Sequence, residues 1–286
     1  MRFWKGQALG NDYLVVDQAD LPWPLTAARV RALCDRWHGI GSDGVLLVDT
    51  AEAPYRLRIF NPDGSEAEKS GNGLRILAAY LYERRLVDME PFSIRLPGET
   101  VEMRVEEVGH GGVLQVTVAM GPARFTGRDV GFQPEPGNAL GYRLSLDGGD
   151  AVEINPVSVG NPHCVVFRDT LDHGEFLRVA PRLTSHQAFA GGTNVQFARV
   201  AGADQLEILI WERGAGETLA SGSSASAAAA AAVRLGHVPP GTVTVNMPGG
   251  TVRVDISPDF AVTLGGPAQM VYTGELLPAV VEAMRR

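Results

Sequence analysis

Ser70-Gly71-Asn72-Gly73-Leu74-Arg75-Ile76-Leu77-Ala78-Ala79 is answered 151 residues later by Ser221-Gly222-Ser223-Ser224-Ala225-Ser226-Ala227-Ala228-Ala229-Ala230. Each stretch is a Ser-Gly turn opening a run rich in Leu or Ala, the pattern of an N-capped helix. The echo extends in both directions. Gly10-Asn11-Asp12 with Val15-Val16 matches Gly160-Asn161-Pro162 with Val165-Val166, and Pro97-Gly98 with Thr100-Val101 matches Pro248-Gly249 with Thr251-Val252. Three matched blocks, in one order and at a nearly constant offset, mark a duplicated chain.

Working outward from the two helices, expected at Leu74 to Tyr82 and about Ser223 to Leu235, short apolar or alternating runs read as strands. In the first half these include Leu14 to Val16, Val45 to Val48, Arg56 to Phe60, Phe92 to Leu96, Thr100 to Glu106 and Val113 to Val118. In the second half Val152 to Ile154, Cys164 to Phe167, Leu206 to Trp211, Thr242 to Asn246 and Thr251 to Ile256 repeat the pattern. A further helix is expected over Ala27 to Trp37. The fold class is therefore mixed α/β: two pseudo-duplicate domains, each a strand-rich, barrel-like sheet around a central helix. The expected bounds are 1–121 for the first half and 122–274 for the second, with a last helix at 275–286.

The 286 residues are 45% hydrophobic and 20% charged, ordinary for a folded chain and unlike a disordered one. A formal charge of −8 lacks the basic stripe that phosphate neutralisation needs, which argues against nucleic acid and anionic membrane as partners. Cys34 and Cys164 are too few for a disulfide framework and fit a reducing compartment. Met1-Arg2-Phe3-Trp4-Lys5-Gly6 carries no apolar leader and no run reaches membrane-spanning length, so a cytoplasmic protein is expected. The scattered His residues show no metal-ligand spacing, and Gly71-x-Gly73 lacks the rest of a dinucleotide fingerprint, so neither metal nor cofactor is expected.

Both Ser-Gly turns could hold a carboxylate. A helix N-terminus offers unpaired N–H groups and the positive end of its dipole, and glycine lets a ligand approach them. Serine is also among the best N-caps, so either turn taken alone is as well explained by capping. Their recurrence at equivalent positions of a duplicated chain favours a shared function.

The residues resemble those of the diaminopimelate epimerase family over Phe3 to roughly Met270. The resemblance rests on Gly10-Asn11-Asp12, Asp35-Arg36, Gly39-Ile40-Gly41 with Asp43-Gly44, and Phe60-Asn61 with Asp63-Gly64-Ser65-Glu66. It continues in Gly71-Asn72-Gly73 with Arg75, Gly160-Asn161-Pro162-His163, and Glu212-Arg213-Gly214 with Gly216 and Thr218. It implies a cofactor-independent isomerase, the epimerisation of LL- to meso-diaminopimelate in lysine and peptidoglycan precursor supply, with two acid/base groups working on opposite faces of the α-carbon. The family carries catalytic cysteines where this chain has Ser70 and Ser221. By the same resemblance His163 and Glu212 lie near the reacting centre. Gly71, Asn72, Gly222 and Ser223 bind the reacting carboxylate, Asn11, Asn61, Asn161 and Asn194 hold the distal amino-acid end, and Arg213 pairs with the distal carboxylate. Gly44 stands where some members carry a polar side chain that touches substrate. The partner implied is a small diamino dicarboxylic acid, and a homodimer is compatible with the resemblance.

A thiol titrates near 8.5, whereas a serine hydroxyl is far less acidic and needs a neighbouring base. Two other readings follow. One is a different isomerase on the same fold, with Glu212 or Glu68 as a carboxylate base. The other is a non-catalytic relative that binds a diamino acid and has lost both bases.

Overall fold

The structure, a computed structural model, describes residues 1–133, 137–147 and 149–285. These form two compact units, one of residues 1–119 with 266–286 and the other of residues 120–265.

In the first unit β1 (Arg2–Ala8) and β2 (Asn11–Asp17) form a hairpin, and α1 (Ala27–Cys34) follows. Then come β3 (Val45–Asp49), β4 (Tyr55–Phe60), the short β5 (Glu66–Ala67) and α2 (Gly71–Glu83). β6 (Phe92–Leu96), β7 (Glu99–Val108) and β8 (Leu114–Pro122) complete the run. β2 and β3 are parallel, β3 and β4 antiparallel, β4 and β6 parallel, and β6, β7 and β8 antiparallel in turn.

The second unit holds β9 (Tyr142–Ser145), β10 (Ala151–Ser158), β11 (Pro162–Phe167), α3 (His173–Thr184), β12 (Asn194–Gly202), β13 (Gln205–Glu212) and β14 (Gly216–Thr218). After these come α4 (Gly222–Arg234), β15 (Gly241–Met247), β16 (Gly250–Ile256) and the long β17 (Ala261–Glu275). From β10 to β17 the pairing senses repeat those of β1 to β8: antiparallel, parallel, antiparallel, parallel, antiparallel, antiparallel. The duplication seen in the sequence is thus a duplication of topology.

β17 pairs through Val262–Gly265 with β16 and through Gln269–Glu275 with β1. β8 also pairs with β17, and the sequence of pairings β1, β2, β3, β4, β6, β7, β8, β17 returns to β1 as a closed eight-stranded barrel among the described residues. The chain passes from one unit to the other inside this strand, at 265, whereas the expected bound is 274. α5 (Pro278–Ala283) follows, and Trp23 Nε1 and Arg29 Nε donate to the Val281 and Met284 carbonyls at 3.3 and 2.7 Å, tying it to the first unit.

Each central helix is buried on every side along most of its length. Leu74 to Leu81 of α2 and Ala227 to Ala232 of α4 are at most 1% exposed. A helix buried all round belongs inside the sheet that surrounds it, and each fully buried Leu or Ile contributes roughly 1.5–3 kcal/mol. Small residues make the space. A Cβ on Gly6 of β1 would lie 2.6 Å from Ile76 Cγ2, and the alanines of α4 combine minimal bulk with the strongest helix propensity.

α1 stops at Cys34, three residues short of the Trp37 expected. Asp35 Oδ1 accepts from the Trp37 and His38 amides, both at 2.8 Å, and this local turn competes with the next helical hydrogen bonds.

Candidate active site

In the first unit Ser70 is the N-cap of α2. Its extended backbone (φ −139°, ψ 115°) turns the hydroxyl back to accept from Gly73 N at 3.0 Å. Behind it lies a polar chain. Asn72 Nδ2 donates to Asn11 Oδ1 at 3.0 Å, and Asn11 Nδ2 donates to Asp43 Oδ2 at 2.8 Å. Arg36 Nη2 bridges Asp43 Oδ1 and Asp12 Oδ1, each at 2.7 Å, and Lys5 Nζ reaches Asp12 and the Gly41 carbonyl. Burial pushes the Asp12 carboxyl up, but hydrogen bonds from Arg36 and Lys5 and the charge of Lys5 outweigh it and hold its pKa below the usual range. Arg75, wholly buried, donates from Nη2 to Asn72 Oδ1 at 2.8 Å and from Nε to the Pro267 carbonyl at 3.4 Å. Its Nη1 has no hydrogen-bond partner among the described residues, and burial lowers its pKa to about 10.

Of the expected binding residues in this half, Asn11, Gly71 and Asn72 therefore sit together beside Ser70. Asn61 is spent in a turn, Nδ2 donating to Ser65 Oγ at 2.9 Å. Glu68 is exposed in the segment before Ser70.

In the second unit Ser221 caps α4 with the same backbone (φ −146°, ψ 122°), accepting from Ser224 N at 3.4 Å, with Ser223 Oγ also 3.4 Å away. Here a strand side chain reaches into the first turn. Gln196 Nε2 donates to Ser224 Oγ at 2.9 Å and to His163 Nδ1 at 3.0 Å. With Nδ1 accepting, the His163 proton is on Nε2 and goes to Asn161 Oδ1 at 2.9 Å. Burial, aided by the charge of Arg213, pushes the imidazole pKa down to about 3. His163 is thus neutral, with both nitrogens engaged, and among the described residues its hydrogen bonds meet the Ser221 turn through Gln196 and Ser224. It has no nitrogen left to take a proton from Ser221. Asn194 Nδ2 donates to the Pro162 carbonyl at 3.1 Å and its Oδ1 accepts from Arg213 N at 2.9 Å, while Arg213 Nη1 holds the Gly191 carbonyl at 2.8 Å. Glu212 ends β13 and Gly222 is buried in the first turn of α4.

A family profile described as diaminopimelate epimerase matches residues 3–126 and 156–271. The chain belongs to the diaminopimelate epimerase family. It is 43% identical over 278 residues to diaminopimelate epimerase 2 of Nostoc sp., covering 96% of this chain and 95% of that one. It is 40% identical over 281 residues to the diaminopimelate epimerase of Pelotomaculum thermopropionicum, covering 96% and 98%. Among solved structures, a probable proline racemase from Agrobacterium radiobacter shares the fold with a TM-score of 0.72 at 14% identity, over 97% of this chain and 93% of that one. A phenazine biosynthesis protein of the PhzF family from Bacillus anthracis shares it at 0.68 and 16%, over 97% and 99%. The family is one of isomerases.

No thiol of this family member stands at either helix cap. Cys34 and Cys164 are free and buried, and burial raises both above the ordinary thiol range, which keeps them protonated. Gln196 and Tyr13 belong to the two clusters and lie outside every motif quoted above, while Asp43 and Ser224 lie in quoted motifs that give them no role. Aligning the halves residue by residue would have found Gln196, since Val15 pairs with Leu46 in one half and Val165 with Gln196 in the other.

Proposed function

We propose that the chain is a cofactor-independent amino-acid isomerase that epimerises LL- to meso-diaminopimelate by two-base α-proton transfer, with Ser70 and Ser221 at the two proton-transfer positions. The observation that carries this reading is the pair of equivalent N-caps, each on a buried helix and each beside buried polar groups. The first turns bind the reacting carboxylate through Gly71, Asn72, Gly222 and Ser223, Arg213 pairs with the distal carboxylate, and Asn11, Asn161 and Asn194 set the distal amino-acid end, which Asn61 joins on releasing Ser65. The two protonated, unpaired thiols suit a cytoplasmic setting.

A second reading is favoured by the hydroxyls themselves. Both accept from their own helix, as ordinary caps do, and His163 is not available as a base for either. A diamino-acid binder that has lost its bases would look the same.

The test is incubation with LL-diaminopimelate in deuterated water, following the α-proton signal by NMR for the unmodified chain and for a Ser70→Cys, Ser221→Cys double variant. Exchange with formation of the meso isomer by the unmodified chain is expected. Exchange by the double variant alone selects the binder with bases removed, and silence from both sinks the diaminopimelate reading. Exchange that survives Ser70→Ala and Ser221→Ala moves the chemistry to a carboxylate, Glu212 or Glu68.

A further inference from the structure

Tyr13, on β2, is 6% exposed and its hydroxyl lies 3.5 Å from Ser70 Oγ, at the outer limit of a hydrogen bond. Such contacts are often long before substrate arrives. The ring is fitted into place by its neighbours. A Cβ on Gly44 would lie 2.6 Å from Tyr13 Cε1 and 2.3 Å from the Phe60 carbonyl oxygen, so the absence of a side chain at Gly44 gives the ring its position. The Ser70 hydroxyl accepts from Gly73 N, which leaves its own proton to be directed elsewhere. The duplicated half places His163 at the equivalent point, 150 residues on and likewise two residues after an Asn. Both positions therefore bring a buried, titratable ring toward the turn that its serine caps, directly in the first half and through Gln196 in the second.

Resting on the isomerase reading above, we propose that Tyr13 is a positioning residue that acts through Ser70, its phenol exchanging a proton with the Ser70 hydroxyl while Ser70 exchanges one with the substrate α-carbon. In the deprotonating direction the Cα–H bond breaks and its proton bonds to Ser70 Oγ. The original Ser70 proton passes to the Tyr13 phenolate, and the electron pair stays on the α-carbon beside its carboxylate. In the opposite direction of epimerisation, where Ser221 takes the α-proton from the other face, Ser70 protonates the α-carbon by the same transfers run backward and leaves the phenolate. A phenol titrates near roughly 10, within about two pH units of a free thiol, whereas an aliphatic hydroxyl does not ionise in that range. The pair thus supplies an ionisable group where serine alone supplies none.

The experiment compares the unmodified chain with Tyr13→Phe, which keeps the ring and removes the hydroxyl, in the deuterium-exchange assay with LL-diaminopimelate across pH 6 to roughly 10.5. The unmodified chain is expected to exchange faster as the pH rises toward the phenol range. Tyr13→Phe should slow exchange roughly 100-fold or more and flatten that limb. Its calorimetric affinity for the substrate and its melting temperature should stay unchanged. Ser70→Cys in the Tyr13→Phe background should restore exchange, because a thiol carries its own titratable proton. Exchange by Tyr13→Phe at the unmodified rate and pH profile overturns the proposal and leaves the isomerase reading standing. So does an inactive unmodified chain beside an active Ser70→Cys, Ser221→Cys variant, which retains the pocket but denies the phenol its part. If neither exchanges, the isomerase reading falls and the proposal falls with it.

Discussion

Ser70 and Ser221 cap helices of equal length with nearly the same backbone angles, yet the strands beside them answer differently. In the first unit the neighbouring strand presents Leu46, and a Cβ on Gly73 would lie 3.1 Å from its Cδ2. In the second unit the register-equivalent residue is Gln196, and the residue matching Gly73 is Ser224, whose hydroxyl Gln196 holds at 2.9 Å. The matching of Arg75 with Ser226 differs again: a buried guanidinium in one half, and a buried hydroxyl without a hydrogen-bond partner among the described residues in the other. Apolar surface was exchanged for a polar network while the backbone stayed put. The lesson is that the fold constrains the cap and the size of what faces it, and leaves the chemistry of the facing residue free to diverge.

The largest expected effect comes from importing the first half's solution into the second. Gln196→Leu leaves the His163 Nδ1 and the Ser224 hydroxyl buried without their donor and should cost about 2–3 kcal/mol, read as a lower midpoint in urea. Gln196→Leu with Ser224→Gly recreates the Leu46 and Gly73 pairing and should regain part of that loss. An unchanged midpoint for the single variant would break the comparison.

The pH dependence is next. Folded His163 stays neutral down to about 3, while in the unfolded chain it takes a proton below its ordinary 6.5. The unfolded state therefore binds more protons in that window. The contribution is complete above pH 6.5 and is lost as the pH falls toward 3, at up to about 1.4 kcal/mol per pH unit, or roughly 2 kcal/mol by pH 5. Urea titrations of the unmodified chain and of His163→Gln at pH 7 and pH 5 should show the unmodified chain losing more. Parallel losses in the two would remove His163 from the account.

The smallest effect lies at the other ends of the helices. α2 and α4 finish with the same two hydrogen bonds, from Arg85 N to the Tyr82 carbonyl and Leu86 N to the Leu81 carbonyl, and from Gly236 N to the Val233 carbonyl and His237 N to the Ala232 carbonyl. The left-handed residue is Gly236 in one (φ 75°) and Arg85 in the other (φ 55°). Glycine adopts that conformation without strain, so Arg85→Gly should stabilise the chain by about 0.5 kcal/mol after its larger loss of backbone freedom. A thermal melt that moves down instead would show that the exposed Arg85 side chain holds something the glycine of the other half does not.

The duplication, the central helices and most strands were legible because apolar alternation and Gly or Pro punctuation are local signals. β12 carries no clear strand signal, because Asn194, Gln196 and Arg199 break its apolar pattern, and the partner that explains the buried Gln196 lies 28 residues later at Ser224. The end of α1 was missed because Asp35 outside a helix looks like Asp35 inside one until its amide partners are known. The candidate site stands in the sequence as a set of residue types at matched positions. Which of them bond one another is not legible there, since Asn11 and Asn72 are far apart in sequence and meet only through the fold.

The closed ring of the first unit also has a consequence in time. Arg2 pairs with Glu275 and Gln7 with Gln269, so the last seam of the barrel joins the beginning of the chain to a strand near its end. Contacts of such sequence separation must wait for the loss of chain entropy between them, and folds dominated by them assemble in milliseconds to seconds. A helix enclosed on all sides cannot be threaded into a finished barrel. α2 must be in place before β17 meets β1, and its amides should be among the last to exchange with solvent in the native protein.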